Sequence, residues 1–121
     1  MSLPDRKTGF SRILAATRYS LSGLVLAART EEAFKQECLL FLLLAPVGVW
    51  LGETDVEKVL LAGALVDVLI IELLNTAVEA VVDRVGAEFH ELSRQAKDLG
   101  SAAVFLSLGY VVFTWLVILF F

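Results

Sequence analysis

The stretch Glu72-Leu73-Leu74-Asn75-Thr76-Ala77-Val78-Glu79-Ala80-Val81-Val82-Asp83 decides how this chain folds. At about 100° per residue, Asn75, Glu79 and Asp83 fall within about 60° of Glu72, so a helix carries all four on one stripe. Everything else in the stretch is apolar or small, and upstream the chain is apolar back to Val59 apart from Asp67. The segment therefore reads as a membrane-spanning helix over residues 56–85 with a polar stripe in its inner half. Ionisable groups at bilayer depth cost roughly 2.5–3.5 kcal/mol each on insertion scales, and they face protein or a watery cavity. Four on one stripe mark a functional site.

Composition agrees. Of the 121 residues, 58% are hydrophobic, too many for a soluble domain of this size to hide in one core. Spans need about 20 residues each, so three use roughly half the chain. Working outward, the first span covers residues 33–52, the second 56–85 and the third 99–121, all within one integral membrane domain over residues 1–121. The fold class is an all-α membrane protein. The single cysteine, Cys38, excludes an intrachain disulfide. No Cys/His cluster points to zinc, and no basic run interleaved with aromatics points to nucleic acid.

Residues 1–30 lack the uninterrupted apolar core of a signal peptide. After Pro4, Phe10, Ile13, Leu14, Leu21, Leu24, Val25 and Ala28 recur at helical spacing between Arg12, Arg18 and Arg29. That pattern predicts an amphipathic helix lying on an anionic membrane surface, with Ser20, Ser22 and Gly23 as points of bending. Thr30 is placed as the N-cap of the next helix, with Glu31 and Glu32 in its first turn. An i,i+4 pair between Glu31 and Lys35 is expected too, and capping alone accounts for one of these carboxylates. Trp50 suits an interfacial anchor. Gly52 to Lys58 is short and acidic, which makes the first two spans an antiparallel hairpin. Asp67 lies about 140° from Glu72, off the stripe. Beyond Gly86, residues 87–98 are polar and predict a surface helix. The small residues Gly100, Ser101, Ala102 and Ala103 then suit close helix packing.

Orientation follows from the basic residues. Arg6, Lys7, Arg12, Arg18, Arg29 and Lys35 precede the first span, and Arg84, Arg94 and Lys97 lie between the second and third. Only Lys58 occupies the other loop. The positive-inside rule puts the N-terminus in the cytoplasm and the C-terminus outside. Glu72 then lies about 10 Å deeper than Glu79.

Carboxylates at two depths, with basic groups at the shallow end, suit a reaction across the membrane–water boundary. Glu31 and Glu79 are hard oxygen ligands for Mg²⁺, which binds through a few carboxylates plus substrate phosphates. Lys97 and Arg12 can neutralise polyphosphate. Glu72, deeper and less solvated, can accept a proton from a lipid hydroxyl. Phosphoryl transfer depends mainly on such positioning and charge neutralisation. The chain has neither a P-loop nor a kinase Gly-rich loop. These residues alone leave phosphotransfer level with an ion-coupled membrane carrier subunit. A purely structural subunit leaves the stripe unexplained.

A resemblance separates the two. Glu72 through Gly86, His90-Glu91-Leu92-Ser93 and Ala96-Lys97-Asp98-Leu99-Gly100-Ser101-Ala102-Ala103 together closely resemble the bacterial prokaryotic-type diacylglycerol kinase family. The likeness extends over nearly the whole chain, including Thr8-Gly9-Phe10-Ser11-Arg12 and Glu31 through Glu37. It implies a homotrimeric bundle of three-span subunits, each with an amphipathic N-terminal surface helix, in the bacterial inner membrane. It implies direct, Mg²⁺-assisted transfer of the ATP γ-phosphate to sn-1,2-diacylglycerol. By position, Glu72 matches the general base, and Glu31 and Glu79 the metal-holding glutamates. Arg12, Tyr19, Glu31, Glu79, Glu88, Phe89, His90, Lys97 and Asp98 match ATP-binding positions. Glu72, Asn75, Ser101, Ala33, Phe34, Lys35 and Trp50 match lipid-substrate positions. The implied sites lie between subunits. Undecaprenol kinase shares the core motif and the chemistry, while Glu32-Ala33-Phe34-Lys35-Gln36-Glu37 looks more like the diacylglycerol branch. Three departures stand out: Asp67 in place of an apolar residue, Phe89 in place of a common tyrosine, and Ser93-Arg94-Gln95-Ala96 with its arginine one place early.

Overall fold

The computed structural model describes residues 8–86 and 88–121. Pro4, Arg6, Lys7 and Ala87 lie outside the described residues. Four helices follow in order: α1 (Gly9–Thr30), α2 (Glu32–Leu51), α3 (Asp55–Val85) and α4 (Glu91–Phe120). The last three are long and apolar enough to cross a bilayer, matching the three expected spans.

α1 opens at Gly9, whose φ of 59° suits a residue without a Cβ. The helix then runs unbroken through Ser20, Ser22 and Gly23, contrary to the expected bend. Ser20 Oγ donates to the Ala16 carbonyl at 2.9 Å, spending its bonding capacity inside the helix. The N-cap of α2 is Glu31, not Thr30. Thr30 closes α1 instead, its Oγ1 donating back to the Leu26 carbonyl at 2.8 Å. One residue therefore separates the two helices. Lys35 pairs with Glu32 at 3.8 Å and not with Glu31, because Glu31 has left the helical path. Pro46 sits inside α2 without ending it, as membrane helices tolerate.

α2 and α3 form the expected hairpin. Gly52 N–H donates to the Gly48 carbonyl at 2.9 Å, and a Cβ at Gly52 would stand 2.7 Å from Lys58 Cγ. Thr54 and Glu57 make a reciprocal capping box at the start of α3: Glu57 N–H donates to Thr54 Oγ1, and Thr54 N–H donates to the Glu57 carboxylate. α3 is the central helix, packed against both α2 and α4. Its N-terminal half holds the core: Leu61, Ala64, Leu65 and Val68 are buried. Gly48 lets α2 approach there, since a Cβ would lie 3.1 Å from Leu61 Cβ and 3.2 Å from the Trp115 ring. Trp115 Nε1–H donates to the Leu61 carbonyl at 3.0 Å, tying α4 to α3.

α4 corrects the reading of residues 87–98. Glu88, Phe89 and His90 are not helical, and Glu91–Asp98 form the first turns of α4 itself, not a separate surface helix. His90 starts it by accepting the Leu92 N–H on Nδ1 at 3.1 Å. Of the small residues at 100–103, Gly100 is the one that permits close packing. A Cβ there would collide with the Asn75 side-chain oxygen.

Candidate active site

The polar stripe lies where α3 leaves its packed N-terminal half. Glu72 is only 7% exposed, although it carries a carboxyl group inside a spanning helix. Across from it on α2 stands the Glu37 carboxyl, and the Glu31 and Glu79 carboxylates also bear on Glu72 electrostatically. Acidic groups from two helices and the junction before them thus face one region: Glu31 from the α1–α2 junction, Glu37 from α2, and Glu72 and Glu79 one after the other along α3. Asn75 Nδ2 donates to Glu79 Oε1 at 3.4 Å. Its own Oδ1 and Glu37 Oε2 are buried without a hydrogen-bond partner among the described residues. Such orphaned acceptors suit a ligand that brings donors or positive charge.

Glu37 is absent from the residues singled out above. The signal was present: it is the last carboxylate before an apolar run from Cys38 to Leu44, hence at membrane depth.

The donor set fits Mg²⁺. Among the described residues, no three His, Cys, Asp or Glu side chains converge closely enough to hold a metal alone. Mg²⁺ needs no such cage, because one or two carboxylates with substrate phosphates and waters complete its shell. Glu31 and Glu79 can supply that share, with the Asn75 carbonyl oxygen free beside Glu79.

Toward the helix end, charge balance changes. Asp83 Oδ1 accepts from Lys97 Nζ at 2.8 Å, bridging α3 and α4. Arg94 joins Asp98 at 2.7 Å and also Glu91, both on α4. Lys97 is therefore held beside Asp83 of α3, while Asp98 is held by Arg94, and the early arginine has become an ion-pair partner within α4. Glu88, Phe89 and His90 occupy the exposed link before α4. One histidine nitrogen is committed to capping.

Other positions are not gathered. Arg12 and Tyr19 are exposed on α1, about 28 and 18 Å along the helix from Glu31. Trp50 is 81% exposed and lies about 20 Å along α2 from Glu37, toward the opposite membrane face. Phe34 is buried, Ala33 and Lys35 are exposed beside it, and Ser101 is exposed on α4. A cavity of about 610 Å³ lies between α1 and α3. Leu24, Leu26, Ala27, Leu73 and Ala77 give it apolar walls, with Thr30 and Glu31 in its lining. It occupies the face of α3 next to the stripe, not the face bearing Glu72.

Comparison with known proteins identifies the family. The family model described as prokaryotic diacylglycerol kinase matches residues 18–119. A diacylglycerol kinase of Haemophilus influenzae is 48% identical over 116 residues, covering 96% of this chain and 98% of its own. The diacylglycerol kinase of Pseudomonas aeruginosa is 49% identical over 113 residues, covering 93% and 92%. That of Escherichia coli K12 is 45% identical over 117 residues, covering 97% and 96%. With this span and identity, the chain belongs to the prokaryotic diacylglycerol kinase family.

Proposed function

We propose that this chain is an ATP-dependent lipid kinase that phosphorylates sn-1,2-diacylglycerol to phosphatidic acid. The observation that carries the reading is Glu72, a buried carboxyl group at bilayer depth, at the head of a polar stripe that ends in the Asp83–Lys97 bridge. A lipid hydroxyl can reach the first, and a water-borne nucleotide the second. The relatives' names support diacylglycerol over undecaprenol as acceptor.

In this mechanism the Glu72 carboxylate accepts the proton of the lipid hydroxyl. The freed oxygen forms a bond to the γ-phosphorus, the bond from that phosphorus to the β–γ bridging oxygen breaks, and ADP leaves. Glu31 and Glu79 are the residues that would hold Mg²⁺, which when bound would neutralise phosphate charge. Lys97 adds positive charge beside it, and Asp83 fixes the lysine's position. Asn75 orients Glu79. The apolar cavity between α1 and α3 has the size and lining of a seat for an acyl chain, with Glu31 at its polar side. Arg12, Tyr19, Glu88, Phe89, His90 and Asp98 serve the nucleotide, while Ala33, Phe34, Lys35, Trp50 and Ser101 serve the lipid. Their dispersal within one chain is consistent with sites completed between subunits of a homotrimer. In this reading residues 1–121 form one domain in the bacterial inner membrane. α1 lies on the cytoplasmic surface, as its basic residues favour.

The test is transfer of labelled γ-phosphate from MgATP in mixed micelles offering diacylglycerol and undecaprenol in parallel. Label in phosphatidic acid is the expected result. Label in the polyprenol instead would move the chain to the other lipid. Label in neither, with folded protein, would overturn the kinase reading and restore the ion-coupled carrier.

A further inference from the structure

Gly23 stands in the middle of α1 without a reason in the helix itself. Glycine weakens a helix interior, and here it neither breaks the helix nor takes a positive φ. It allows no close approach either, since a Cβ there would meet nothing within 4 Å. What Gly23 does is border the cavity of about 610 Å³ between α1 and α3. α1 packs on α2 and hardly touches α3, so the two helices do not close that space between them. The lining shows what kind of group fits. Ser20 and Thr30 border it, but both hydroxyls are bonded to carbonyls of their own helix. Thr76 is the remaining hydroxyl, and Glu31 is the one charged group. A polar ligand would find few partners along these walls, whereas an acyl chain needs none.

Along α1 the lining runs from Glu31 back to Ser20, about 16 Å, and Gly23 lies about 12 Å from Glu31. With carbon–carbon bonds of ~1.5 Å and angles near ~111°, an extended chain advances about 1.25 Å per carbon, so 12 Å holds roughly ten carbons. We propose that Gly23 sets the acyl-chain length this site accepts: its missing side chain leaves open the passage by which one chain of the lipid substrate extends beyond about its tenth carbon. The inference rests on the kinase reading and adds to it the residue that selects among diacylglycerols. A bulky side chain at position 23 closes the seat at that point, so short chains still enter and long ones are stopped. Ala77 and Ala80 keep the α3 wall low as well. Past Ser20 the chain returns to the bilayer.

The experiment compares Gly23→Leu with the unaltered chain on dioctanoylglycerol and dioleoylglycerol, as kcat/KM in mixed micelles. Taking the variant-to-unaltered ratio for each lipid removes differences in how the two lipids partition. That ratio should fall roughly tenfold further for dioleoylglycerol than for dioctanoylglycerol, with Gly23→Ala between the two chains. Leucine favours helix over glycine, so melting of α1 is not the expected effect. Equal falls for both lipids, or a fall for neither, would overturn the inference. A second measurement needs no turnover. A diacylglycerol carrying a diazirine at the tenth carbon of one chain should, on illumination, label the tryptic peptide Tyr19–Arg29 of the unaltered chain. Gly23→Leu should reduce that labelling severalfold, and labelling that ignores the leucine would overturn the role of Gly23. The two failures stay distinct. An unaltered chain that phosphorylates neither lipid sinks the kinase reading and the selectivity with it, whereas one that phosphorylates both, with no discrimination introduced by Gly23→Leu, sinks the selectivity alone.

Discussion

The two halves of α3 are built on opposite principles. From Leu61 to Val68 the helix is wedged between α2 and α4, with Gly48 removed to backbone thickness and the Trp115 indole bonded to the Leu61 carbonyl. From Glu72 to Asp83 it carries carboxyl groups and the orphaned Asn75 oxygen, with a second orphaned acceptor, on Glu37 of α2, and a cavity alongside. The packed half satisfies nearly everything it buries. The polar half leaves acceptors open, as a structure must if a ligand is to complete it. The lesson is that rigidity and reactivity have been separated along one helix: the first half holds α3 in place so that the second can remain unfinished.

Substitutions can break or sharpen that contrast. The largest effect is expected from Glu72→Gln, which keeps the shape but cannot take a proton. Turnover should fall by roughly 10²–10⁴-fold with nucleotide affinity unchanged, in steady-state kinetics. A rate near that of the unaltered chain would remove Glu72 as base. Glu79→Gln should raise the Mg²⁺ concentration for half-maximal activity roughly 10–100-fold, and an unchanged titration would count against metal binding there.

Next come two glycines that make the same kind of contact in different halves. Gly100→Ala drives a methyl group into the Asn75 oxygen, so it should cost about 1–3 kcal/mol of stability and reduce turnover by disturbing Asn75. Gly48→Ala meets Leu61 and Trp115 at just over 3 Å. It should cost about 1 kcal/mol in thermal unfolding while leaving turnover per folded chain intact. If the two variants behaved alike, the division of labour along α3 would be wrong. The smallest effect belongs to Thr54→Ala, which removes a capping box far from the stripe. It should cost about 1 kcal/mol, with kinetics unmoved.

Much of this was legible in the residues. Apolar run lengths set the three spans, and a 100° step put Glu72, Asn75, Glu79 and Asp83 on one stripe. What escaped depended on partners distant in the chain. The Trp115–Leu61 bond joins residues 54 positions apart, and no local pattern announces it. The choice between Thr30 and Glu31 as N-cap turned on which backbone left the helix first, and Thr30 had a competing acceptor one turn back. Residues 91–98 read as a separate polar helix because composition changes at Leu99, whereas the backbone does not. The capping box, by contrast, was written plainly as Thr54-Asp55-Val56-Glu57 and passed over. Glu37 needed both its depth and its opposite neighbour to be recognised.

The junction between α1 and α2 carries one more consequence. A single extended residue, Glu31, separates a 22-residue helix from the first span. α1 is about 33 Å long, so Glu31 stands at the fulcrum of a long lever. A tilt of about 10° swings the far tip by roughly 6 Å and barely translates the carboxylate, turning it nearly in place. With α1 on the membrane surface, as proposed above, forces in the lipid would reach this glutamate as torque on its backbone.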